Sequence, residues 1–246
     1  MTVWTDAVEL GAQGRYAQAR EVLSRIRQSE PAGSLALSTR ASHARQVGAD
    51  GADWDRQALA CAADPESTAD ALIGLAADAV ANGDAAEAEQ MLGRATEVIE
   101  GTSGLDEMWR PLTRWHWVSA ERALLAGDPA TAYIEARAAR RSCTGRSIRH
   151  ETKSAIIAMA TGDEFALGRA QTVMDVLRAH RWATLQWPLA LVLDDARAQH
   201  AVPADVLQRA WSSAEEAVEF IAGKLPQDLQ QDWAHHPGVR RIRSGR

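Results

Sequence analysis

Apolar and polar residues along this chain recur at the three- to four-residue spacing of amphipathic helices. Ala, Leu, Arg, Glu and Gln fill long windows, and short stretches rich in Gly, Asp and Pro separate these windows. Val, Ile, Thr, Tyr and Phe never cluster in the alternating pattern of a strand. Because the abundant residues favour helices, the pattern predicts an all-α chain.

A glycine marks the same position in four of these windows. Gly14, Gly83, Gly127 and Gly162 each have an alanine seven residues before them, and an aspartate follows the last three directly. After the first three glycines, small or apolar residues stand at +5, +9 and +12. Gly can end one helix in the left-handed conformation, Asp can cap the next, and the small residues let the two helices approach closely. The sequence therefore predicts repeated antiparallel helix pairs.

These repeats resemble the tetratricopeptide repeat, a helix–turn–helix unit of about 34 residues. The resemblance implies a single antiparallel helix-pair solenoid over residues 1–236, with about six helix pairs and a short C-terminal helix. Regular repeats cover 1–180, and a divergent pair and cap cover 181–236. About ten extra residues lie around 100–109. The remaining residues, 237–246, are expected to form a basic, disordered tail.

A second resemblance concerns LPQDLQQDWAHHPGVRRI (225–242). This segment is similar to the closing segment of tetratricopeptide regions in some large bacterial regulators, which join their repeats to an ATPase or kinase. No G-x-x-x-x-G-K-[ST] motif occurs in this chain. The resemblance therefore implies a stand-alone sensor or scaffold related to such regulators.

Charge and composition limit the partners. A net charge of −6 argues against bulk attraction to nucleic acid or to an anionic membrane. The N-terminus lacks the basic and apolar regions of a signal peptide, and the apolar runs are too short to span a bilayer, so we expect a cytoplasmic protein without membrane contact. Of the 27 basic residues, all but Lys153 and Lys224 are Arg, which indicates a GC-rich bacterial genome.

The sequence shows no complete constellation for catalysis or metal binding. No H-E-x-x-H or G-x-S-x-G motif occurs, and no pair of Cys or His stands at metal-ligand spacing, so we expect no metal, no cofactor and no enzymatic activity. Cys143 stands among arginines, which would lower its pKa if it were exposed. An enzyme with Cys143 as nucleophile is the alternative, against the simpler interpretation of a helix-end cysteine.

The resemblance also implies which residues face the groove. In that family the first helix of each pair lines the inner surface, so a count from each turn glycine assigns residues to it. Trp117, in WRPLTRWHW (109–117), falls at the centre, where an aromatic flanked by arginines is typical of a binding hot spot, although core packing explains it equally well. The assigned groove residues are Trp117, Arg114, Glu121, Leu124, Arg149, Ile156, Met159, Ile73 and Val80.

The leading hypothesis is a non-catalytic scaffold that binds a partner protein or peptide through this groove. A regulatory or sensor module is the first alternative, and an enzyme on a helical scaffold is the second. A homodimer is left open, and so is a groove filled by residues 100–109 or by the C-terminal helix.

A basic patch is either a solvated turn or a dock for an acidic segment, and it consists of Arg137, Arg140, Arg141 and Arg146.

Overall fold

The computed structural model describes residues 2–104 and 106–245. Over these residues the prediction of an all-α chain is confirmed, because they form 15 α-helices and one 3-10 turn, with no strand. No helix in these ranges is long and apolar enough to cross a membrane. The helices are α1 (Val3–Ala12), α2 (Tyr16–Leu23), α3 (Gly33–Gln46), α4 (Ala52–Cys61), α5 (Pro65–Ala81), α6 (Ala85–Glu100), α7 (Trp109–Leu125), α8 (Pro129–Cys143), α9 (Ile148–Ala160), α10 (Glu164–Leu167), α11 (Ala170–His180), α12 (Ala183–Ala196), α13 (Ala204–Ala222), α14 (Gln230–His235) and α15 (Pro237–Ser244).

The predicted chemistry of the turns is confirmed. Gly14, Gly83, Gly127 and Gly162 have φ angles of 80°, 78°, 73° and 79°, the left-handed conformation that ends a helix. The aspartates that follow the last three glycines accept a hydrogen bond from the backbone N–H three residues further on. These contacts lie at the starts of α6, α8 and α10, and each turn joins two helices that contact each other.

Small residues allow the paired helices to pack closely. Ala88 on α6 and Ala132 on α8 are fully buried, as are Ala76 on α5 and Ala120 on α7, the alanines seven residues before their turn glycines. The helix pairs α5–α6 and α7–α8 are in extensive contact. The pattern in the sequence therefore corresponds to real helix–helix contacts at these pairs.

Six helices form a closed ring instead of an open groove. Helices α1, α3, α5, α7, α9 and α12 each contact the next, and α12 contacts α1 in turn. The Trp182 indole donates to Glu9 Oε1 at 3.0 Å, and the Thr184 hydroxyl donates to the Ala12 carbonyl at 2.9 Å. The other helices pack outside the ring, and this closure determines the shape of the candidate site.

The C-terminal segment differs from the expected disordered tail. Residues 237–244 form α15, in which Val239 and Ile242 are buried at 0% and 2% exposure. Arg241 pairs with Asp194 at 2.6 Å and with Asp195 at 2.7 Å. The expectation of a disordered tail is therefore wrong. The segment is basic and has two apolar residues three positions apart, so it packs on α12 and α13, which provide both apolar and acidic side chains.

Two further elements depart from a regular repeat. The expected second helix after Gly162 is divided into α10 and α11. The extra segment between α6 and α7 spans residues 101–108 and contributes no side chain to the central cavity, within the ranges that the structure describes. Leu105 in this segment lies outside the described residues. The described part of the insert therefore does not fill the space between the helices.

Candidate functional site

The ring surrounds a cavity of about 490 Å³ that is partly open to solvent. All six inner helices contribute to it, so it lies at the centre of the molecule. The side chains that matter most for its chemistry belong to charged and aromatic residues, which are Trp4, His43, Arg45, Asp70, Arg110, Arg114, Trp117, Glu121, Arg149, His150 and Lys153. A partly polar pocket of this size is typical of small-molecule sites.

One side of the cavity, formed by α3, α5 and α7, is an ion-paired wall. Arg45 on α3 contacts Asp55 Oδ2 at 2.7 Å and Asp78 Oδ2 at 2.9 Å. The Asp55 side chain is fully buried, and burial raises its pKa to about 6 although Arg45 acts in the opposite direction. Arg45 is therefore needed to keep two enclosed carboxylates paired.

The same wall holds a second set of ion pairs around Asp70 on α5. Arg110 Nη1 lies 2.6 Å from Asp70 Oδ2, and Arg114 forms an ion pair with the other carboxylate oxygen. Burial alone would raise the pKa of Asp70, but the two guanidinium groups more than offset it and hold that pKa below its usual value. Arg110 also contacts Glu66 at 2.9 Å and lies over the Trp4 ring.

The opposite side, the α9 wall, consists of Arg149, His150 and Lys153. In the described part of the chain, neither Arg149 nor Lys153 has a carboxylate oxygen within 4.0 Å. Arg149 donates one hydrogen bond to the Val8 carbonyl at 3.2 Å. Burial lowers the pKa of both cations, since the charged form loses its water. This wall therefore carries positive charge without the close partners that the ion-paired wall provides.

Trp117 on α7 lies between the core and the cavity. Its side chain is 7% exposed, its indole N–H donates to Ser154 Oγ at 2.8 Å, and its ring stacks on His150 with centroids 5.3 Å apart. Lys153 Nζ lies 4.3 Å from the ring centroid, a cation–π contact. The two interpretations of Trp117 are thus not exclusive, because one residue packs in the core and also lines the cavity.

Two histidines on the cavity are neutral near pH 7. Burial, with a further contribution from Arg149, lowers the pKa of His43 and of His150 to about 3. His150 Nδ1 is 2.9 Å from Ser147 Oγ, and His43 packs edge-on against Tyr16. These rings therefore act as uncharged aromatic and hydrogen-bonding surface, not as cations.

The predicted groove residues separate into three groups. Trp117, Arg114, Glu121, Arg149 and Val80 line the cavity. Leu124 lies near the end of α7, is 38% exposed, and does not line it. The third group is buried in the core at 0–5% exposure because neighbouring helices cover the positions that an open groove would expose, and it comprises Ile73, Ile156 and Met159.

The predicted basic patch lies on and after α8 and does not line the cavity. Arg137 donates to the Tyr133 hydroxyl at 2.9 Å, and Arg140 lies over the Phe165 ring. Arg141 is exposed, whereas Arg146 forms an ion pair with Asp106. The four arginines therefore do not share one surrounding: Arg137 and Arg140 lie over aromatic rings, and Arg146 combines an ion pair with a contact to the Trp109 ring.

Cys143 does not have the exposed position that a lowered thiol pKa requires. Its side chain is fully buried at the end of α8, and its thiol lies 3.5 Å from the Arg140 carbonyl. Burial raises the thiol pKa, which outweighs the effect of the nearby arginines. Cys143 is therefore not poised as a thiolate nucleophile.

Several cavity residues were not assigned from the sequence, above all Arg45, Asp70, Arg110 and Lys153. Two of them carry a recognisable signal, since Arg110 precedes Arg114 by four residues and Lys153 follows Arg149 by four, which puts each pair on one helix face. The pairing of Arg45 with Asp55 and Asp78 depends on three separate helices and leaves no local signal.

Neither similar proteins nor a metal-binding group gives the cavity an assignment. No family model matches the chain, and no curated protein is significantly similar to it. Within residues 2–104 and 106–245, no group of three or more His, Cys, Asp or Glu side chains is arranged to hold a metal ion. The cavity is therefore interpreted from its own geometry.

Proposed function

We propose that this protein is a non-catalytic binding protein that takes a small organic molecule into the central cavity. The observation that carries the proposal is the closed ring of six helices around about 490 Å³ of space with charged and aromatic walls. Pockets of roughly 300–1,000 Å³ with a few polar groups are typical of small-molecule sites. This proposal corresponds to the sensor alternative in the sequence analysis.

The volume favours a small molecule over the peptide expected from an open groove. One turn of an α-helix with its side chains, about 5.4 Å long and 10–12 Å wide, occupies roughly 500 Å³. The cavity therefore has room for about a single helical turn inside the ring. A longer peptide would extend out of the cavity, so the ring itself would hold only a short segment of it.

The pKa values and ion pairs of the side chains around the cavity favour ligand binding over catalysis. His43 and His150 have pKa values of about 3, far from the neutral range that favours acid–base catalysis. Arg45, Arg110 and Arg114 are held in ion pairs within the ion-paired wall. The ion-paired side chains therefore support the shape of a cavity in which a ligand can bind.

The proposal is tested by recovering the bound molecule. The protein is incubated with a small-molecule extract of its host, washed by gel filtration and denatured, and the released molecules are identified by mass spectrometry. Ala81→Trp narrows the cavity, because Ala81 lines it at the exposed end of α5. The matched control is Ala179→Trp on α11, another exposed helical alanine, which does not line the cavity.

We expect a molecule that is released unchanged by the wild type and by Ala179→Trp and is depleted in Ala81→Trp. Equal recovery from the folded wild type and the folded Ala81→Trp variant would place binding elsewhere and defeat the proposal. A chemically altered molecule would instead favour the enzyme alternative.

A second candidate function, binding of a partner protein, is favoured by a separate surface on the outside of the ring. Ile134 on α8 and Phe165 on α10 are 60% and 63% exposed, unusual values for large apolar side chains. Phe165 lies beneath Arg140 and Arg169, and Arg137 is exposed beside Tyr133. We define these residues as the outer arginine–aromatic face, and their chemistry suits an acidic segment of a partner.

Affinity capture from host lysate with Phe165→Ser and Arg137→Glu tests this candidate. Both side chains are exposed, so we expect the variants to keep the wild-type melting temperature while they lose a captured acidic partner. Unchanged capture by both folded variants would rule out this face. Gel filtration separates capture of a different protein from association of two copies of this chain.

A further inference from the structure

The charges around the cavity do not balance on all sides. Five cations line it, namely Arg45, Arg110, Arg114, Arg149 and Lys153, against two carboxylates, Asp70 and Glu121. Asp55, Asp78 and Glu66 complete the ion pairs behind the ion-paired wall. The positive charge that is left without a contacting carboxylate is therefore concentrated on the α9 wall.

Arg149 and Lys153 are four residues apart on α9, so their side chains leave the same face of one helix. Glu9 and Glu121 influence Arg149 and Lys153, respectively, through space, but neither carboxylate comes within 4.0 Å of these cations. A partly buried cation without a contacting carboxylate is less stable than an ion-paired one, because the Val8 carbonyl and the Trp117 ring carry no compensating negative charge. A bound anion would provide that partner.

An apolar surface lies directly beside these cations. The Trp117 and His150 rings stack at an interplanar angle of 19°, and Lys153 Nζ sits over the Trp117 ring. Both rings line the cavity and are uncharged near neutral pH. The site thus combines two adjacent cations with a flat aromatic surface.

We propose that the occupant of the cavity is a small organic anion whose carboxylate or phosphate lies between Lys153 and Arg149 and whose apolar part contacts Trp117 and His150. This inference rests on the proposed function, because it assumes that the cavity is the binding site. It adds the charge class of the ligand and the two residues that recognise it. The ion-paired wall then keeps the cavity open and contributes little to the charge selectivity.

A panel of four probes that share a phenyl ring tests the charge class of the ligand. Benzoate and phenyl phosphate carry the two candidate anionic groups, benzamide is neutral, and benzylamine is cationic. Binding of each probe is measured by ligand-observed NMR on the full chain. We expect both anions, or one of them, to bind at least about tenfold more tightly than benzamide, and benzylamine to bind least, because charge-assisted hydrogen bonds to Lys153 and Arg149 are available only to anions. A preference for benzoate or for phenyl phosphate shows whether the ligand carries a carboxylate or a phosphate.

Three variants locate the effect. Lys153→Met and Arg149→Met should each weaken binding of the preferred anion by about tenfold or more, whereas Lys224→Met, at the exposed second lysine of the chain, should leave it unchanged. Anions that bind no more tightly than benzamide, or a Lys153→Met variant that keeps the wild-type affinity, would overturn the inference.

The melting temperature of the ligand-free protein provides a test without any probe. Lys153→Met removes a cation that has no contacting carboxylate, so we expect its melting temperature to equal or exceed that of the wild type. Arg45→Met breaks two buried ion pairs and should lower it. A fall for Lys153→Met as large as that for Arg45→Met would show that Lys153 is structural, which contradicts the inference.

The two levels of the proposal fail in different ways. The recovered molecule could be neutral or cationic and still be depleted in Ala81→Trp. That result would overturn the inference of an anionic ligand, but the cavity would remain the binding site. Equal recovery from the wild type and Ala81→Trp would remove the proposed function itself.

Discussion

The two sides of the central cavity use the same kinds of side chain in different ways. On the ion-paired wall, Arg45, Arg110 and Arg114 each contact a carboxylate of another helix. On the α9 wall, Arg149 and Lys153 have no carboxylate oxygen within 4.0 Å in the described ranges. The difference indicates that enclosed charges can hold helices together on one side of a cavity while they remain available to a ligand on the other.

The effect of a substitution on stability depends on whether it leaves a buried charge without its partner. Removal of one member of a buried ion pair leaves its partner enclosed and uncompensated, which costs about 3–5 kcal/mol. Removal of a cation without a close partner leaves no such group. Substitutions of similar residues on the two walls should therefore change the free energy of unfolding by different amounts, or in opposite directions.

The largest effect is expected for Arg45→Met. Asp55 and Asp78 would lose their shared partner inside the ring, so the free energy of unfolding should fall by about 3–5 kcal/mol. Urea unfolding followed by circular dichroism measures this change. The double variant Arg45→Met/Asp55→Asn is the control and should recover part of the loss, because it removes one of the stranded charges. A single variant as stable as the wild type would contradict the structural role of this wall.

A smaller loss of stability is expected when a new side chain intrudes on the space that Asp55 occupies. A Cβ atom on Gly74 would lie 2.1 Å from Asp55 Oδ2, so Gly74→Ala must displace a buried, ion-paired carboxylate. We expect it to destabilise the fold by about 1–3 kcal/mol. Gly93 on α6 is a matched control, since no neighbouring element of the described chain comes within 4 Å of the place that its Cβ atom would take. Gly93→Ala should stabilise the helix by roughly 0.5–1 kcal/mol, and equal effects of the two substitutions would be inconsistent with this packing.

Acid should weaken both walls through their histidines. His43 on α3 and His150 on α9 have pKa values of about 3, well below the unfolded value near 6.5, so below about pH 6.5 the unfolded chain binds more protons than the folded one. Their contribution to stability is therefore complete above pH 6.5 and is lost as the pH falls toward 3. Asp55 acts in the opposite direction, since its raised pKa of about 6 favours the folded state below pH 6.

Burial also raises the pKa of Asp78, which therefore acts with Asp55, whereas the lowered pKa of Asp70 acts with the histidines. We expect the two histidines to outweigh the carboxyls, so the free energy of unfolding should fall between pH 6.5 and pH 4.5. His150→Gln should reduce the slope by less than about 1.4 kcal/mol per pH unit, the limit for one proton. Urea unfolding at several pH values measures these slopes. A stability that rises as the pH falls over this interval would show that the buried carboxyls Asp55 and Asp78 dominate.

Local features of the fold could be predicted from the sequence, but the closure of the ring could not. The left-handed glycines, the aspartate caps and the buried alanines depend on residues within one helix pair, and all are evident in a short window. The contact of Trp182 with Glu9 joins positions 173 residues apart, with no spacing to reveal it. A count along the repeats also places Ile73, Ile156 and Met159 on an open surface, because it does not show that neighbouring helices cover them. Ile73, for example, packs in a cluster with residues of α6 and α7.

The candidate site was recognised only in part for the same physical reason. A count along one helix correctly places Arg114, Trp117 and Glu121 together, because helical periodicity fixes their common face. The count does not show which cation will meet a carboxylate, since Arg45 and Asp55 approach from different helices. The contrast between the two walls therefore emerges only in the folded molecule.

The smallest effect on stability is expected for Glu121→Gln, which tests whether the α9 wall truly lacks a counter-ion. Glu121 lines the cavity and favours the charged form of Lys153 through space, but it forms no ion pair with that residue within 4.0 Å. The substitution keeps the shape of the side chain and should change the free energy of unfolding by less than about 0.5 kcal/mol. Anion affinity should rise slightly, because a negative charge beside the site is removed. A loss comparable to that of Arg45→Met, or a weaker affinity for the anion, would mean that Glu121 already neutralises Lys153 and that the two walls are alike after all.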